Sequence, residues 1–388
     1  MKSQNFPISL PRLIFFTFSR TIFNTMYRMV YPFLGVFQAN LGVSLEQLSL
    51  LMTVRSGLGA IVPLFASVGD SHGRRFAMLL GSGLFIGGAA LVVFSPTYLM
   101  FGLALILTMV GKYIFDPSLL AYVGDKVVYQ ERGRVMALLE LGWSFSFLLG
   151  VPIVGFVISR HGWIAPFPLF IALGMVVFIG IYLSVPRIRL NSRLQGERHQ
   201  ILQVFTSTLA LNGLLIGLSV SAANEVINLV FGIWLQDTFR MKIAALGAAT
   251  AVIGISELIG EFMVAAFVDR LGKPRTVMIG IFLNSLASLG LPILAHSAGG
   301  AILGLFLFYV TFEFTLVSSI PLMSELLPNT RATMLSATGA SHSLGRAVGA
   351  LFAAQLYRFG LSANLICSIL LNSVALAALL LLVRRKSL

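Results

Sequence analysis

The stretch Gly69–Arg75, which reads GDSHGRR, lies between two long apolar segments, and a related stretch, Asp269–Arg275, reads DRLGKPR in the second half of the chain. Aligning Asp70 with Asp269 gives an offset of 199 residues and places Gly73 on Gly272, in a chain of 388 residues. The same short basic turn therefore occurs at the same place in each half. Such a repeat indicates duplication, and duplicated membrane halves are typical of proteins that hold a solute pathway.

A second pair of matches supports the duplication. Asp125 precedes the basic segment 131–134, and Glu325 precedes the segment 328–333, with an offset of 200 residues between the two acids. Arg132 and Arg331 match at an offset of 199 residues. A shared preference for basic cytoplasmic turns is the alternative explanation, but two motif pairs at nearly one offset favour duplication.

The composition predicts a membrane protein. Apolar residues make up 57% of the chain, charged residues 11%, and the mean hydropathy is +0.92. A soluble domain carries about a quarter charged residues. Because a helix needs about 20 apolar residues to cross a bilayer, at about 30 residues per span and turn the chain holds about twelve spans. We therefore expect an all-α membrane protein with no separate soluble domain.

Apolar runs between helix-breaking residues predict twelve transmembrane helices, with bounds accurate to a few residues. The predicted spans are about 13–38, 46–68, 75–94, 97–123, 132–158, 165–185, 204–237, 244–268, 274–296, 299–325, 330–357 and 361–383. The only long polar stretch follows the sixth span. The predicted domains are a six-helix bundle over 1–185, a cytoplasmic linker over 186–203, and a second six-helix bundle over 204–388.

The net charge of +13 is explained by topology and does not indicate a nucleic-acid partner. Most basic residues lie in turns on the side of the termini and the linker, whereas the opposite side holds only Arg160, Arg240, Lys242 and Arg358. The positive-inside rule therefore places both termini in the cytoplasm. We expect a multi-pass protein of the cell inner (plasma) membrane, in contact with the lipid bilayer and acting as a monomer.

Neither a cofactor nor a metal is expected. The single Cys367 and the five scattered histidines form no disulfide framework and no metal-binding pair. The chain has no catalytic motif such as H-E-x-x-H or G-x-S-x-G, and no ATP-binding loop. His342, beside Ser341 and Ser343, is the nearest candidate for a catalytic group, and we interpret it as a packed or cavity histidine. The sequence therefore predicts that the protein is not an enzyme.

The turn also carries a family resemblance. Asp70, Gly73, Arg74 and Arg75 match the loop signature G-x-x-x-D-x-x-G-R-[RK] of the major facilitator superfamily, although Gly69 stands next to the aspartate. The segments 41–44, 132–133 and 150–155 are also similar to that family. The chain resembles the superfamily over its whole length, in particular its drug and metabolite efflux members. The resemblance implies two pseudo-symmetric six-helix bundles around a central cavity, working by alternating access.

In that family the signature turn latches the cytoplasmic side. The resemblance therefore implies gating roles for Asp70, Gly73, Arg74, Asp125 and Arg134. Independently of the family, Gly73 permits a tight turn, and Arg74 can pair with Asp125. The alternative is that the arginines only anchor the topology, where they can contact anionic head groups.

Ionisable residues within apolar helices are candidates for solute binding, because a charge at the centre of a bilayer costs a few kcal/mol or more. The resemblance implies that helices one, four, seven and ten line the cavity, and Arg28, Asp116, Glu225 and Glu313 each fall on one of these. The predicted solute-binding residues are Asn24, Tyr27, Arg28, Tyr31, Lys112, Asp116, Asn224, Glu225, Asn228, Trp234 and Glu313. Aromatic rings with a few polar groups suit an amphipathic organic solute.

One pair among these residues has a plain structural alternative. Lys112 and Asp116 are four residues apart on one helix, so that they can form a local ion pair instead of binding a solute.

Glu257 and Glu261 are the first candidates for proton coupling. They share one face of a helix, and two neighbouring carboxylates in a low dielectric cannot both ionise easily, which suits proton uptake and release. If they face Arg346, they are instead a structural ion cluster. Arg346 and, as a weaker candidate, Glu140 complete the predicted coupling residues.

The leading hypothesis is a proton-coupled secondary transporter that exports a small amphipathic organic solute by antiport. The basic residues suit an organic anion and the acidic residues suit a cation. Proton-coupled uptake of an organic anion or metabolite by symport is the alternative, and a membrane-embedded enzyme is the alternative from another class. Leu107 stands where drug–proton antiporters carry an arginine, which argues against transferring their proton mechanism unchanged.

Overall fold

A computed structural model describes residues 8–128, 131–187, 203–327 and 330–386, which contain helices and no β-strand. The helices are α1 Leu10–Arg28, α2 Leu34–Leu41, α3 Leu45–Gly57, α4 Val62–His72, α5 Arg74–Phe94, α6 Tyr98–Lys126, α7 Arg132–Phe145 and α8 Val151–His161. They continue with α9 Pro166–Ser184, α10 Thr208–Asn228, α11 Phe231–Phe239, α12 Ile243–Leu271, α13 Lys273–Leu294, α14 Ala298–Ser324, α15 Arg331–Tyr357 and α16 Leu361–Lys386.

The predicted all-α membrane fold is confirmed. Among the described residues, nine helical segments are long and apolar enough to cross a membrane. The remaining predicted spans are either divided into shorter helices or, as for α15, richer in small polar residues. The number of twelve spans stays a prediction.

The two matching turns have the same backbone geometry. Gly73 joins α4 to α5 with a φ of 93°, and Gly272 joins α12 to α13 with a φ of 82°. Both values lie in a region that residues with a side chain rarely adopt, so glycine is required there. The tight turn predicted at Gly73 is confirmed, and its copy occurs at the offset that the sequence repeat predicts.

The predicted first span is wrong in one respect, because it is two helices. α1 ends at Arg28 and α2 begins at Leu34. Pro32 has no N–H to donate and its ring collides with the carbonyl of the residue four positions earlier, which stops the helix. Tyr31 therefore lies beyond the end of the helix that carries Arg28.

Three further predicted spans are interrupted. The seventh predicted span divides between Asn228 and Phe231. This break lies at nearly the same position in the second half as the break before Leu34 in the first half. The second contains the 3₁₀ turn Leu58–Ile61, and the fifth contains the π-helical turn Ser146–Gly150. Pro152 follows this last turn, and wide turns of this kind occur frequently at functional sites.

The chain divides into two compact units by its backbone contacts. One unit comprises Met1–Val30 and Val62–Arg193, and the other comprises Tyr31–Ile61 and Leu194–Leu388. The predicted linker lies mostly outside the described residues, and the division into six and six helices stays a prediction. We refer below to the first unit and the second unit in this sense.

Glycines allow close helix packing inside the first unit. A Cβ on Gly81 of α5 would lie 2.6 Å from the carbonyl oxygen of Gly111 on α6, and a Cβ on Gly111 would lie 2.6 Å from the carbonyl oxygen of Gly81. A Cβ on Gly142 would lie 2.9 Å from the carbonyl oxygen of Thr17 on α1. This glycine of the fifth predicted span therefore lets α1 pack closely against α7.

In the second unit, α3 packs against α15. Ser49 Oγ donates a hydrogen bond to the Ala350 carbonyl, and Arg358 Nε donates to Glu46 Oε1 at 2.7 Å. Ser44 starts α3 with a capping box, in which its side chain and that of Gln47 each accept the other's backbone N–H. This cap fixes the beginning of the helix that carries Glu46 and Ser49.

Candidate functional site

The first unit contains an ion cluster in which Arg20 and Asp116 are buried and the Glu140 side chain is 49% exposed. Arg20 donates from Nη1 and Nη2 to the two carboxylate oxygens of Glu140 at 2.8 and 3.2 Å. Arg20 Nε also lies 3.6 Å from Asp116 Oδ1, while Lys112 pairs with Asp116 Oδ2. The local ion pair between Lys112 and Asp116 is thus confirmed. Two cations and two anions neutralise one another in this cluster.

Trp143 lies at the centre of a second cluster in the first unit. The Arg28 guanidinium carbon is 4.3 Å from the centre of the Trp143 ring and 3.4 Å from that of Phe147. Lys112 Nζ is 5.9 Å from the Trp143 ring centre, and the Tyr27 ring is 6.0 Å away. A cation held between aromatic faces forms an amphipathic surface that can bind an organic solute.

Irregular backbone positions Arg28. Its Nη1 donates to the Trp143 carbonyl at 3.1 Å and to Ser146 Oγ at 3.4 Å. Ser146 begins the π-helical turn, where the regular backbone hydrogen-bond pattern changes. Asn24, another predicted solute-binding residue, donates to the Gly142 carbonyl at 3.1 Å and so helps to hold α1 against α7.

In the second unit, Glu225 is completely buried and held by neutral donors. Tyr31 Oη donates to Glu225 Oε1 at 3.0 Å, and Asn228 Nδ2 donates to Oε2 at 3.3 Å. Arg55 Nη2 donates to Tyr31 Oη at 3.0 Å, and Tyr309 Oη donates to Asn228 Oδ1 at 2.8 Å. These five side chains form one continuous network, which we call the Glu225 network.

Positive charge surrounds this carboxylate. The cost of burying its charge is the largest influence on Glu225, and the charges of Arg346 and Arg55 offset part of this cost. α15, which carries Arg346, comes close because a Cβ on Gly349 would lie 2.7 Å from Glu225 Cβ. The predicted coupling residue Arg346 and the predicted solute-binding residue Glu225 therefore belong to one electrostatic group.

His342 lies one helical turn before Arg346 on the same helix. Its Nδ1 lies 2.8 Å from Ser221 Oγ and 3.1 Å from the Gly217 carbonyl, both on α10. It is buried, which agrees with the interpretation of a packed histidine.

A further group of acids lies where α12 meets α14. Glu257 and Glu313 are buried, and Glu261 is half-buried. A Cβ on Gly260 would lie 2.8 Å from Glu313 Cβ, so that this glycine brings Glu313 against the face of α12 that also carries Glu257. The predicted coupling pair therefore has a third carboxylate in its neighbourhood.

Two other predicted solute-binding residues occupy different surroundings. Asn224 is buried next to Glu225, and its Oδ1 accepts no hydrogen bond from the described residues. Trp234 lies on α11, packs against Phe239 at 5.6 Å, and lines a cavity of about 310 Å³ together with Tyr357.

The predicted gating residues include a confirmed ion pair. Arg74 Nε lies 4.0 Å from Asp125 Oδ2, and Lys273 pairs with Glu325 at the corresponding positions of the second half. Arg134 is exposed. The Asp70 side chain lies outside the described part of the structure. The duplicated turn thus carries a duplicated ion pair.

Five residues of the ion cluster, the Trp143 cluster and the Glu225 network were not among the predicted site residues: Arg20, Arg55, Trp143, Phe147 and Tyr309. Their partners lie on other helices, so no local spacing could reveal them. The available signals were charge inside an apolar helix for the arginines, and a tryptophan three residues after Glu140. Within the described residues, no group of three or more His, Cys, Asp or Glu side chains could hold a metal ion.

Comparison with known proteins gives a consistent result. A family model described as Major Facilitator Superfamily matches residues 14–350 and 209–387. The uncharacterized MFS-type transporter YwfA of Bacillus subtilis (strain 168) is 24% identical over 313 residues, which cover 79% of this chain and 76% of that protein. The multi-drug resistance efflux pump PmrA of Streptococcus pneumoniae serotype 4 is 22% identical, with 72% of each chain covered.

The Klebsiella pneumoniae citrate-proton symporter is 24% identical over 70% of this chain and 66% of that protein. Among solved structures, a POT family transporter in complex with 5-aminolevulinic acid superposes with a TM-score of 0.78 at 16% identity, covering 98% of this chain and 96% of that one. At this identity the structural match shows a shared fold.

Proposed function

Because this chain belongs to the major facilitator superfamily, we propose that it is a proton-coupled secondary transporter that exports a small amphipathic organic solute by alternating access. The observation that carries this proposal is the Glu225 network. A carboxylate without contact to water is costly unless charges and hydrogen bonds compensate for its burial; Glu225 accepts two hydrogen bonds and is attracted by Arg346 and Arg55. Such a group changes its proton occupancy when its surroundings rearrange.

The proposed solute-binding surface in the first unit is the cluster around Trp143. Arg28, Tyr27 and Phe147 supply one cation and apolar rings, and Lys112 adds a second cation at the edge. Such surfaces attract the π-face or the negative group of an organic molecule. Asp116 and Glu140 act here by holding Arg20 and Lys112.

In the second unit, Asn224 and Asn228 lie beside the proposed coupling carboxylate. Asn224 Oδ1 is a buried acceptor without a donor among the described residues, so that it favours a solute that carries an N–H or O–H group.

Proton coupling is assigned first to Glu225 with Arg346. When Arg55, Tyr31 or Arg346 moves away, the buried carboxylate loses its stabilising partners and takes up a proton; when they return, it releases the proton. Glu257 and Glu261, with the neighbouring Glu313, are the second coupling candidates.

A transport assay in liposomes separates the coupling candidates. Purified protein is tested for proton-gradient-driven accumulation of ethidium and of citrate, and for exchange of the same solute without a gradient. We expect Glu225→Gln to abolish gradient-driven accumulation and to keep exchange. Glu257→Gln and Glu261→Gln should keep both activities if Glu225 alone couples.

The control is Glu131→Gln, which removes an exposed carboxylate at the beginning of α7. This variant should transport as the wild type does. Uphill accumulation that persists in Glu225→Gln would refute the assignment of coupling to Glu225. If neither solute is transported, a thermal-shift screen against metabolites and drugs supplies the substrate, because a bound ligand raises the unfolding temperature.

Proton-coupled uptake of an organic anion is the second candidate. The cation between aromatic rings at Arg28 favours it, and a citrate-proton symporter is among the relatives. The two directions differ in the gradient that drives them. Export requires acid on the side to which the solute moves, whereas symport requires acid on the side that the solute leaves.

We also propose that the protein acts as a monomer in the cell inner (plasma) membrane, with both termini in the cytoplasm, and that it has no enzymatic activity. The relatives named above are transporters or are described as transporter-like. Within the described residues, the charged clusters are ion pairs and hydrogen-bonded networks rather than an exposed nucleophile with a base.

A further inference from the structure

A cavity in the first unit lies outside both clusters described above. It has a volume of about 340 Å³ and is formed where α4 turns into α5, next to the end of α9. Its described lining includes His72, Arg75, Phe76, Tyr182 and Arg187. Two arginines, with no acidic residue among the described lining, make this cavity electropositive.

Arg75 is held in position with part of its hydrogen-bonding capacity unused. Its Nη2 donates to the Tyr182 carbonyl at 2.7 Å, and its guanidinium carbon lies 4.5 Å from the centre of the Tyr182 ring. Its Nε is buried and makes no hydrogen bond with the described residues. Arg187, by contrast, is exposed. One arginine is therefore pre-positioned, and the other is free to reach a ligand in the cavity.

The rim of the cavity is apolar. Of its lining residues, Phe76 is 49% exposed and Tyr182 is 53% exposed; Leu183, which follows Tyr182 in the chain, is 77% exposed. In a protein that spans the bilayer, such side chains face acyl chains. The electropositive cavity thus lies directly beside a lipid-facing surface, on the side that the distribution of basic residues assigns to the cytoplasm.

The second half of the chain provides an internal comparison. At an offset of 199 residues, His72, Arg75 and Tyr182 correspond to Leu271, Pro274 and Leu381. The duplicated turn therefore keeps its glycine and its ion pair but lacks these lining groups. The cationic and aromatic side chains that line this cavity are therefore not needed to form the turn.

We propose that this cavity binds the phosphate group of an anionic phospholipid of the cytoplasmic leaflet. Guanidinium groups form charge-assisted, often bidentate hydrogen bonds with phosphate oxygens. The exposed Phe76 and Leu183 then lie beside the acyl chains. A free phosphate ion would use the same arginines but would gain nothing from the apolar rim, so the lipid is the favoured source of the phosphate.

The test measures the unfolding temperature of delipidated, detergent-solubilised protein during titration with phosphatidylglycerol, phosphatidylcholine or inorganic phosphate. For the wild type we expect phosphatidylglycerol to raise the unfolding temperature at concentrations where the other two have no effect. In the double variant Arg75→Gln with Arg187→Gln, the midpoint of this titration should rise about 30-fold.

The matched control is Arg270→Gln with Arg275→Gln, which removes two exposed arginines near the corresponding turn of the second half. Its midpoint should stay within about threefold of the wild type. Equal losses in both double variants would show unspecific surface attraction and overturn the proposal, as would an unchanged midpoint in the Arg75 and Arg187 variant. Inorganic phosphate that reproduces the full effect of phosphatidylglycerol would overturn the assignment to a lipid.

If the double variant does not fold, Arg187→Gln alone is measured. Its side chain is exposed, so that its loss leaves the packing of the unit intact. We expect a midpoint about fivefold higher than that of the wild type. An unchanged midpoint in this variant, combined with an equal amount of bound phosphatidylglycerol by native mass spectrometry, would contradict the proposal.

Discussion

Trp143 lies close to two cationic side chains of the first unit, those of Arg28 and Lys112. Its ring lies next to Arg28 and Lys112, and its carbonyl accepts a hydrogen bond from Arg28. Lys112 in turn belongs to the ion cluster of Arg20. The aromatic surface and the ion cluster are therefore coupled, and a change in one is expected to alter the other.

Arg20→Gln should destabilise the protein. It leaves Glu140 without its bidentate partner and Asp116 with Lys112 alone. Arg20 is buried but the Glu140 side chain is 49% exposed, so the loss should be about 1–2 kcal/mol, less than for a fully buried pair. Thermal unfolding in detergent measures the loss. The double variant Arg20→Gln with Glu140→Gln should recover roughly half of it, because the second change removes the unpaired charge. Additive losses would show that the two side chains do not interact.

Arg28→Ala should weaken the binding of the transported solute about tenfold, because the guanidinium and its contacts with two rings are lost. Arg28→Lys keeps the charge but not the planar stacking, and should have an intermediate effect. A binding titration with the solute found by thermal screening gives the values. Arg160→Ala, which removes an exposed arginine in the last turn of α8, serves as the control. Affinity equal to that of the wild type in Arg28→Ala would remove Arg28 from the site.

At the scale of helices, backbone contacts at glycines decide which elements touch. α5 and α6 meet where a Cβ on Gly81 or on Gly111 would collide with the carbonyl oxygen of the other residue. Gly142 in the fifth predicted span likewise lets α7 approach α1. Apolar composition continues across the breaks before Leu34 and Phe231, so the hydropathy pattern showed neither, although Pro32 is a local signal for the first.

Gly81→Ala should destabilise the protein by roughly 1–3 kcal/mol, since the new methyl group would lie 2.6 Å from a backbone oxygen that cannot move independently. Gly83→Ala is a matched control two residues later on the same helix, with no atom within 4 Å of the added Cβ. This control should be neutral or slightly stabilising, because alanine favours helix. Equal unfolding temperatures for the two variants would contradict the described packing of α5 against α6.

At the scale of the whole molecule, the duplication visible in the sequence is also present in side-chain contacts. Arg74 with Asp125 and Lys273 with Glu325 are corresponding ion pairs in the two halves. The sequence predicted the first pair because both residues belong to repeated motifs. It could not predict the Glu225 network, since Tyr31 and Glu225 are 194 residues apart and only the fold brings them together.

Asp125→Asn should separate a gating role from a structural one. The Asp125 side chain is 61% exposed, and an exposed ion pair contributes less than about 1 kcal/mol. The unfolding temperature should therefore hardly change. If the pair latches the turn, the transport rate should fall several-fold in the same preparation. A wild-type rate in Asp125→Asn would leave Arg74 and Asp125 with an anchoring role only.

The single native cysteine makes the topology directly testable. In a Cys367→Ser background, Arg240→Cys should react with a membrane-impermeant maleimide in intact cells. Arg275→Cys should react only after permeabilisation, because the positive-inside rule places it in the cytoplasm. Labelling of Arg275→Cys in intact cells would reverse the orientation.

The contact between α3 and α15 has a consequence for the dependence of turnover on ionic strength. Glu46 and Arg358 form an ion pair at the ends of these two helices, and the Arg358 side chain is 66% exposed. Ser49 Oγ donates a hydrogen bond to the Ala350 carbonyl, which lies deeper in the same contact. A cycle that parts these two helices must break both bonds. Dissolved ions at about 1 M reduce the range of electrostatic attraction to about 3 Å. If the separation of α3 from α15 limits the turnover rate, concentrated sodium chloride on the side of the membrane that holds the Glu46–Arg358 pair should therefore increase that rate.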